Sequence, residues 1–375
     1  MKFAKVVNNT QQSTPIIFGI LIILLGFQFI PMNIQTADAM SKKIVGYFPY
    51  WESRNIDSID YSSLTEIIYF HIWPNSDGSL NTGAINTNDL KTIRDKTHEM
   101  GIKVTISVGG WGASDGFPPM SKDPTARANF VSNIADFVLK NNLDGVDINW
   151  ETPINQEKID YQDILLSELV ATMHPLGKTV TVTVNGDIMD LKANESIDWV
   201  NVMAYDLNGL NAEHSTFEDS VSALQMYEDI GIPKDKLVLG IPFYGRSDGW
   251  TSSMSYQDIV STCNPLPSEN YCNGHYFNGI DLVQQKAQYV LNNNFGGVMV
   301  WNLGQNTYNS TSLFHVLREI LGDSSQPDTK PVIISSASSK STPFGPTFTK
   351  LEPRLSSSGP TYFGYFVEHY SHLVR

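Results

Sequence analysis

The sequence predicts an α/β chain wound as a (β/α)8 barrel. Three observations carry this expectation: eight short runs rich in β-branched and aromatic residues, stretches of helical period between them, and a span from residue 42 to 322. That span is about 280 residues, the size of one such barrel. A doubly wound open sheet is the competing arrangement. It calls for a glycine-rich phosphate turn after the first strand, whereas Tyr47-Phe48-Pro49-Tyr50-Trp51 follows here. The architecture expected is therefore the TIM barrel, as a single catalytic domain.

The strand candidates, in order, are Lys43–Phe48, Glu66–Ile72, Lys103–Val108, Gly145–Glu151, Thr179–Val184, Trp199–Met203, Leu237–Ile241 and Gly297–Trp301. Helices are expected at Asn88–Met100, Thr125–Asn141, Gln156–His174, Phe217–Ile230, Gly279–Asn292 and Ser312–Leu321. In the second of these Phe130, Ile134, Phe137 and Val138 recur at helical spacing, and Asp123 or Pro124 starts the helix. The first crossover is weak. Only Glu52 to Leu64 separates the first two strands, and no clear helical period fills it.

The barrel, residues 40–322, is flanked by segments of another character. Lys2 and Lys5 precede the apolar run Ile16–Phe27, which Gln28 and Pro31 break, and Ala37-Asp38-Ala39 offers a small-x-small cleavage site. Residues 1–39 thus read as a secretory signal peptide. The run falls short of the ~20 residues that span a bilayer, so membrane attachment is expected only if the signal stays uncleaved. Residues 323–346, rich in Ser, Pro and Thr, read as a flexible linker. Residues 347–375 form a tail too short for a domain of its own, which docks on the barrel, binds a surface or stays disordered.

Composition narrows the function. Hydrophobic residues make up 41% and aromatic residues 11% of the 375, which predicts a sizeable core rather than disorder. Lys and Arg number 25 against 39 Asp and Glu, a net charge of −14, so the electrostatic footprint of a nucleic-acid binder is missing. The 2 cysteines are too few for a stapled mini-protein or a four-thiolate zinc site, and no histidine pair stands beside them at ligand spacing. No metal and no cofactor is expected, and the protein is expected to be a monomer. In an exported, extracellular chain Cys263 and Cys272 either form a disulfide across a short loop or remain two thiols.

The most informative segment runs from Leu143 through Asp144, Gly145, Val146, Asp147, Ile148, Asn149 and Trp150 to Glu151. On a strand, Asp147, Asn149 and Glu151 share one face while Val146, Ile148 and Trp150 share the other. The apolar file would pack on helices and the polar file would line the lumen, with Glu151 at the C-terminal rim where barrel active sites lie. Burying such a file without function is costly, because each ionised group must be paired or neutralised.

Asp144-x-x-Asp147-x-Asn149-x-Glu151 resembles the DxxDxDxE signature of glycoside hydrolase family 18, the chitinases and related endo-β-N-acetylglucosaminidases. Further blocks follow in family order. Gly46-Tyr47 is similar to the first strand, Ser107-Val108-Gly109-Gly110-Trp111 to the SxGG segment, and Met203-Ala204-Tyr205-Asp206 to MxYD. Gly240 to Arg246 resembles GxPxYGR, and Gly296 to Trp301 the eighth-strand segment ending in the subsite tryptophan.

This resemblance implies retaining hydrolysis of β-1,4-linked N-acetylglucosamine polymers, in which the substrate's own 2-acetamido carbonyl attacks the anomeric carbon. Chitin or an N-acetylglucosamine-containing oligosaccharide is the implied partner. Glu151 corresponds to the acid that protonates the glycosidic oxygen, helped to stay protonated by Asp147, and Tyr205 to the hydroxyl that bonds the acetamido oxygen. Trp301 corresponds to the apolar floor under the distorted sugar. Tyr47, Trp111, Met203, Asp206, Tyr244 and Arg246 are carried over as substrate-binding residues, and Asp144, Gly145, Ser107, Gly109 and Gly110 as structural parts of the motifs. His71 reads as a satisfied interior histidine. Asn149 departs from the pattern, which has aspartate there, and activity is expected to be slow. The short stretch between Arg246 and Gly296 places the chain with shallow-groove members that lack an inserted small domain, filled here by the cysteine loop and one helix. An endo-β-N-acetylglucosaminidase acting on N-glycans or cell-wall glycans, and a weakly active or non-catalytic glycan-binding lectin, are the alternatives.

Overall fold

The computed structural model describes residues 42–322 apart from 153, 193, 195, 211 and 212. The signal peptide 1–39, the linker 323–346 and the tail 347–375 lie outside the described residues. Eight parallel strands form the barrel wall: β1 (Lys43–Pro49), β2 (Glu66–Pro74), β3 (Lys103–Gly109), β4 (Gly145–Asn149), β5 (Thr179–Asn185), β6 (Trp199–Met203), β7 (Leu237–Pro242) and β8 (Gly297–Trp301). Each pairs with its sequence neighbour, and β8 closes the ring on β1 through the register Lys43↔Gly297 to Gly46↔Val300. Closure rejects the open-sheet alternative.

The helices are α1 (Thr87–Glu99), α2 (Phe117–Lys122), α3 (Pro124–Lys140), α4 (Gln156–Met173), α5 (Phe217–Asp229), α6 (Tyr256–Cys263), α7 (Ile280–Asn292) and α8 (Leu313–Leu321). Side chains that satisfy orphan amides set several starts: Asn86 caps α1, Asp123 caps α3 with Pro124 in its first turn, and Thr216 and Asp219 form a capping box on α5. Between β1 and β2 the chain makes 3-10 turns, Tyr50–Ser58 and Tyr61–Ser63, instead of an α-helix. Asp60 accepts both the Ser62 and Ser63 hydroxyls at 2.6 Å, a local bonding pattern that competes with helical propagation.

Two apolar layers result. Val146, Ile148 and Trp150 join the outer layer between strands and helices, where Trp150 stacks on Phe117 with ring centroids 4.9 Å apart. A second cluster of Val45, Tyr47, Ile68, Phe70, Trp199, Tyr205, Val238, Tyr244 and Met299 lines the lumen. Ser107, Asp147, Thr181 and Asn201 are fully buried in the same lumen, with Thr181 level with Trp199 and Asn201 with Val238. The alternation read from the Asp144–Glu151 segment is thus observed, with one change: β4 ends at Asn149, and Glu151 lies beyond it on the rim.

The stretch between Arg246 and Gly296 holds more than the cysteine loop and one helix. Besides the expected helix, α7, and a Cys263–Cys272 disulfide, with Cα atoms 6.2 Å apart, it contains α6 and the strands Ser253–Ser255, Tyr271–Cys272 and His275–Tyr276, which join Tyr244–Ser247 in a four-stranded antiparallel sheet. Strands of two to four residues are too short for a period-two pattern to register in sequence.

Candidate active site

At the base of the site Asp147 is saturated with hydrogen bonds. Its Oδ2 accepts the Tyr47 hydroxyl at 2.7 Å and the Ser107 hydroxyl at 3.3 Å, while Oδ1 accepts Thr181 at 2.8 Å, Thr183 at 3.0 Å and the Asn201 amide at 3.3 Å. Burial still pushes this carboxyl above the usual range against those bonds. Tyr47 is itself only 1% exposed. Its hydroxyl supports Asp147 while its ring packs against Trp301, 5.5 Å away.

Gly109 and Gly110 let the end of β3 press against β4. Both have left-handed φ, +96° and +108°, and a Cβ on Gly109 would stand 2.3 Å from the Asn149 carbonyl oxygen. The Gly110 amide donates to that same carbonyl at 2.6 Å. Gly145 starts β4, where a side chain would run into Thr179. Asp144 belongs to the opposite end of the barrel, accepting the Val104 amide and His98 Nε2 at 2.8 Å each, a purely architectural place.

Glu151 is held on the rim by its own backbone. Its N–H donates to Ser114 Oγ at 3.2 Å, and that hydroxyl donates to the Gly110 carbonyl at 3.0 Å. Burial raises the Glu151 carboxyl to about 7, opposed by a hydrogen bond from the Asn149 amide and by the positive charge of Lys158, and assisted by Asp190 and Asp206. Desolvation fills the role that the sequence reading gave to Asp147, which spends its charge on hydroxyls lower in the lumen. Asn149 is 3% exposed, and its Oδ1 has no hydrogen-bond partner. A buried, unmet acceptor costs free energy unless something else fills it. Tyr205 is buried nearby with only a long 3.9 Å contact from its hydroxyl to Met299 Sδ, and burial holds its phenol well above the ordinary value. It stays a donor at any ordinary pH.

One wall is set by charge pairing. Arg246 donates from Nε and Nη2 to Asp206 Oδ1 and Oδ2 at 2.9 and 2.6 Å, a two-point fork. His214 Nδ1 lies 3.0 Å from Asp206 Oδ1. Burial would raise the Asp206 carboxyl, but the bonds from His214 and Arg246 outweigh it and hold the group well below the usual carboxylate range. The Arg246 guanidinium also lies over the Tyr244 and Trp250 rings, 5.0 and 5.3 Å from their centroids. The half-buried Trp301 is edge-on to Phe70 at 4.9 Å and to Trp51 at 6.4 Å, with Met203 packed on the same cluster. Trp111, on the loop after β3, is 69% exposed.

His71 is interior: Nδ1 bonds the Gly109 carbonyl, the ring stacks on Phe70, and burial lowers its pKa to about 4. Three contributors escaped sequence reasoning. Ser114 and His214 act through loops that carry no periodic signal, and Lys158 pairs with Asp190 at 2.8 Å with both side chains 1% exposed. The tell-tale for that pair is a lysine on the first turn of α4 whose charge faces the core, which only the fold reveals.

Comparison with known proteins agrees with this geometry. The chain is 27% identical over 378 residues to Chitinase A1 of Niallia circulans, covering 75% of this chain and 52% of that one. It is 30% identical over 259 residues to a chitinase-like effector of Moniliophthora roreri, covering 60% of this chain and 63% of the effector. The chain thus spans about half the length of the first relative and under two thirds of the second. A chitinase from Bacteroides thetaiotaomicron shares the fold at a TM-score of 0.71 and 24% identity, over 77% of this chain and 100% of that one. The profile described as Glycosyl hydrolases family 18 matches residues 43–306, most of the barrel, and the chain belongs to that family.

Proposed function

We propose that the chain hydrolyses β-1,4-linked N-acetylglucosamine polymers of the chitin type, with retention at the anomeric carbon. One observation carries the reading: a rim carboxyl raised to about 7 beside the unmet Asn149 Oδ1, with the Tyr205 phenol also buried in the site. An acetamido group offers what these groups lack, an N–H for Asn149 and a carbonyl oxygen for Tyr205. In the reaction Glu151 gives its proton to the glycosidic oxygen while the acetamido oxygen attacks the anomeric carbon and the C–O bond to the leaving sugar breaks. The Glu151 carboxylate then takes a proton from the water that opens the oxazolinium ion, restoring the acid. Trp301 supplies an apolar floor for the pyranose C–H edges. Export to the extracellular space and action as a monomer belong to the same proposal.

A second reading rests on Asn149. An amide cannot offset the positive oxazolinium as a carboxylate would, which favours a weakly active or binding protein, and one relative is named a chitinase-like effector. Incubation with chitin oligosaccharides and, separately, with a high-mannose glycopeptide separates the readings by product mass, and proton NMR of fresh digests gives the anomer. β-Anomer first from chitin oligomers supports the proposal. Cleavage of the glycopeptide alone turns it into an endo-β-N-acetylglucosaminidase, and binding without products into a lectin. Initial α-anomer overturns the substrate-assisted step.

A further inference from the structure

The small antiparallel sheet has two unlike faces. Its register pairs Tyr271 with Tyr276, Tyr276 with Arg246, and Arg246 with Ser253, so these side chains share one face with Tyr244, two residues before Arg246. The other face carries Gly245, His275 and Cys272 and is turned to α6: Cys272 Sγ lies 3.9 Å from the Ile259 carbonyl oxygen, and a Cβ on Gly245 would stand 3.1 Å from Ile259 Cδ1. The Tyr244 face is therefore the outward one. Exposure grows along it, from Tyr244 at 4% beside the active site, through half-buried Arg246 and Tyr276, to Tyr271 at 55%.

We propose that this row is a binding ledge for N-acetylglucosamine units of the same glycan chain that extend beyond the units over Glu151, with Tyr276 and Tyr271 as their platforms. The inference rests on the chitin-type reading and deepens it. Continuity with the active site comes from Arg246, which the fork to Asp206 ties to the catalytic wall. The chemistry fits a neutral sugar: aromatic rings offer faces to pyranose C–H bonds, and phenol hydroxyls bond hydroxyl and acetamido groups. The two rings stand 4.7 Å apart at 58°, a bent surface rather than a mutual stack that would hide both faces.

The ledge is also held in shape before any sugar arrives. Tyr271 and Tyr276 are joined by a hairpin whose two turn residues, Asn273 and Gly274, take φ of +46° and +81°, as a tight two-residue hairpin requires. The disulfide at Cys272 ties the neighbouring position to the end of α6. Pre-ordering of this kind lowers the entropic cost of binding. A tyrosine pair, Tyr271 exposed and Tyr276 half-buried, on a stapled hairpin continuous with a sugar cleft is thus equipped to grip a long oligosaccharide.

The test measures binding of the di- to hexasaccharides of N-acetylglucosamine by calorimetry, in a Glu151→Gln background so that the sugar stays intact. Tyr271→Ala and Tyr276→Ala are each expected to weaken the hexasaccharide about 5- to 10-fold and to leave the disaccharide unchanged. Tyr271→Phe should keep most of the affinity, and because Tyr271 is largely exposed its truncation leaves the fold in place. Equal losses at every length, or none at any, overturn the ledge while the chitin-type reading stands. Failure of the parent protein to bind any of the oligosaccharides overturns both.

Discussion

The Asn149 side chain holds the Glu151 carboxyl down against the rise that burial imposes, while its own Oδ1 is buried without a protein partner. One side chain thus faces two ways: its N–H stabilises the ionised acid, and its oxygen waits for a donor that the fold does not supply. An aspartate at this position would repel the acid instead. Under the proposed hydrolysis, asparagine at this position therefore bears on proton donation as well as on substrate recognition.

Glu151→Gln should lower turnover of chitin oligosaccharides by about 10²–10⁴-fold, the usual contribution of a positioned general acid. Affinity for the sugar should stay nearly intact, because the amide keeps the size of the carboxyl. Steady-state kinetics together with calorimetry make the comparison. Unchanged turnover would remove Glu151 from the mechanism.

The pH profile follows from the same group. Donation needs the protonated acid, so with its value raised to about 7 the rate should fall as pH rises through neutrality. Asn149→Asp adds a negative neighbour, which raises the acid further and moves that alkaline limb to higher pH. It also restores a counter-charge for the oxazolinium, and turnover should rise by up to ~10²-fold, judged against the loss of one oxyanion donor. Lower activity with unchanged folding would show that asparagine is adapted to this site.

Tyr205→Phe removes a buried hydroxyl whose protein contact is only a 3.9 Å approach to sulfur, so the fold loses little. Turnover should drop by ~10²-fold with a smaller change in KM, since the bond strengthens as the acetamido group attacks. A melting temperature within a degree or two of the parent, beside that kinetic loss, is the expected pattern; a loss of stability without a kinetic change would make Tyr205 a packing residue.

Lys158 and Asp190 form a buried pair, and Asp190 also accepts Asn185 Nδ2 at 2.6 Å and the Tyr227 hydroxyl at 2.8 Å. Lys158→Met strands the carboxylate and should cost about 3–5 kcal/mol in denaturant unfolding, with much of it recovered in the Lys158→Met, Asp190→Asn double variant. The single change also removes a positive charge that lowers the Glu151 value, so the alkaline limb of the rate should move upward. A limb that stays in place would mean the pair has no electrostatic reach to the acid.

The sequence by itself determined the barrel and the two-faced sorting of its fourth strand, because both rest on periodicity. β-Branched runs of five to nine residues and amphipathic helices bury one face each, and that sorting is written in residue order. Polar Asp147 and Asn149 against apolar Val146 and Ile148 could be assigned to lumen and wall for the same reason. What no local pattern holds is which groups meet from distant parts of the chain. The seats of Tyr47 on Asp147, 100 residues apart, and of Arg246 on Asp206, 40 apart, follow only from closure of the ring. Desolvation of Glu151, the charge pair of Lys158 with Asp190, and the outward row from Tyr244 to Tyr271 likewise exist only in three dimensions. Burial and electrostatic coupling depend on distance through space, and the tertiary structure alone decides that distance.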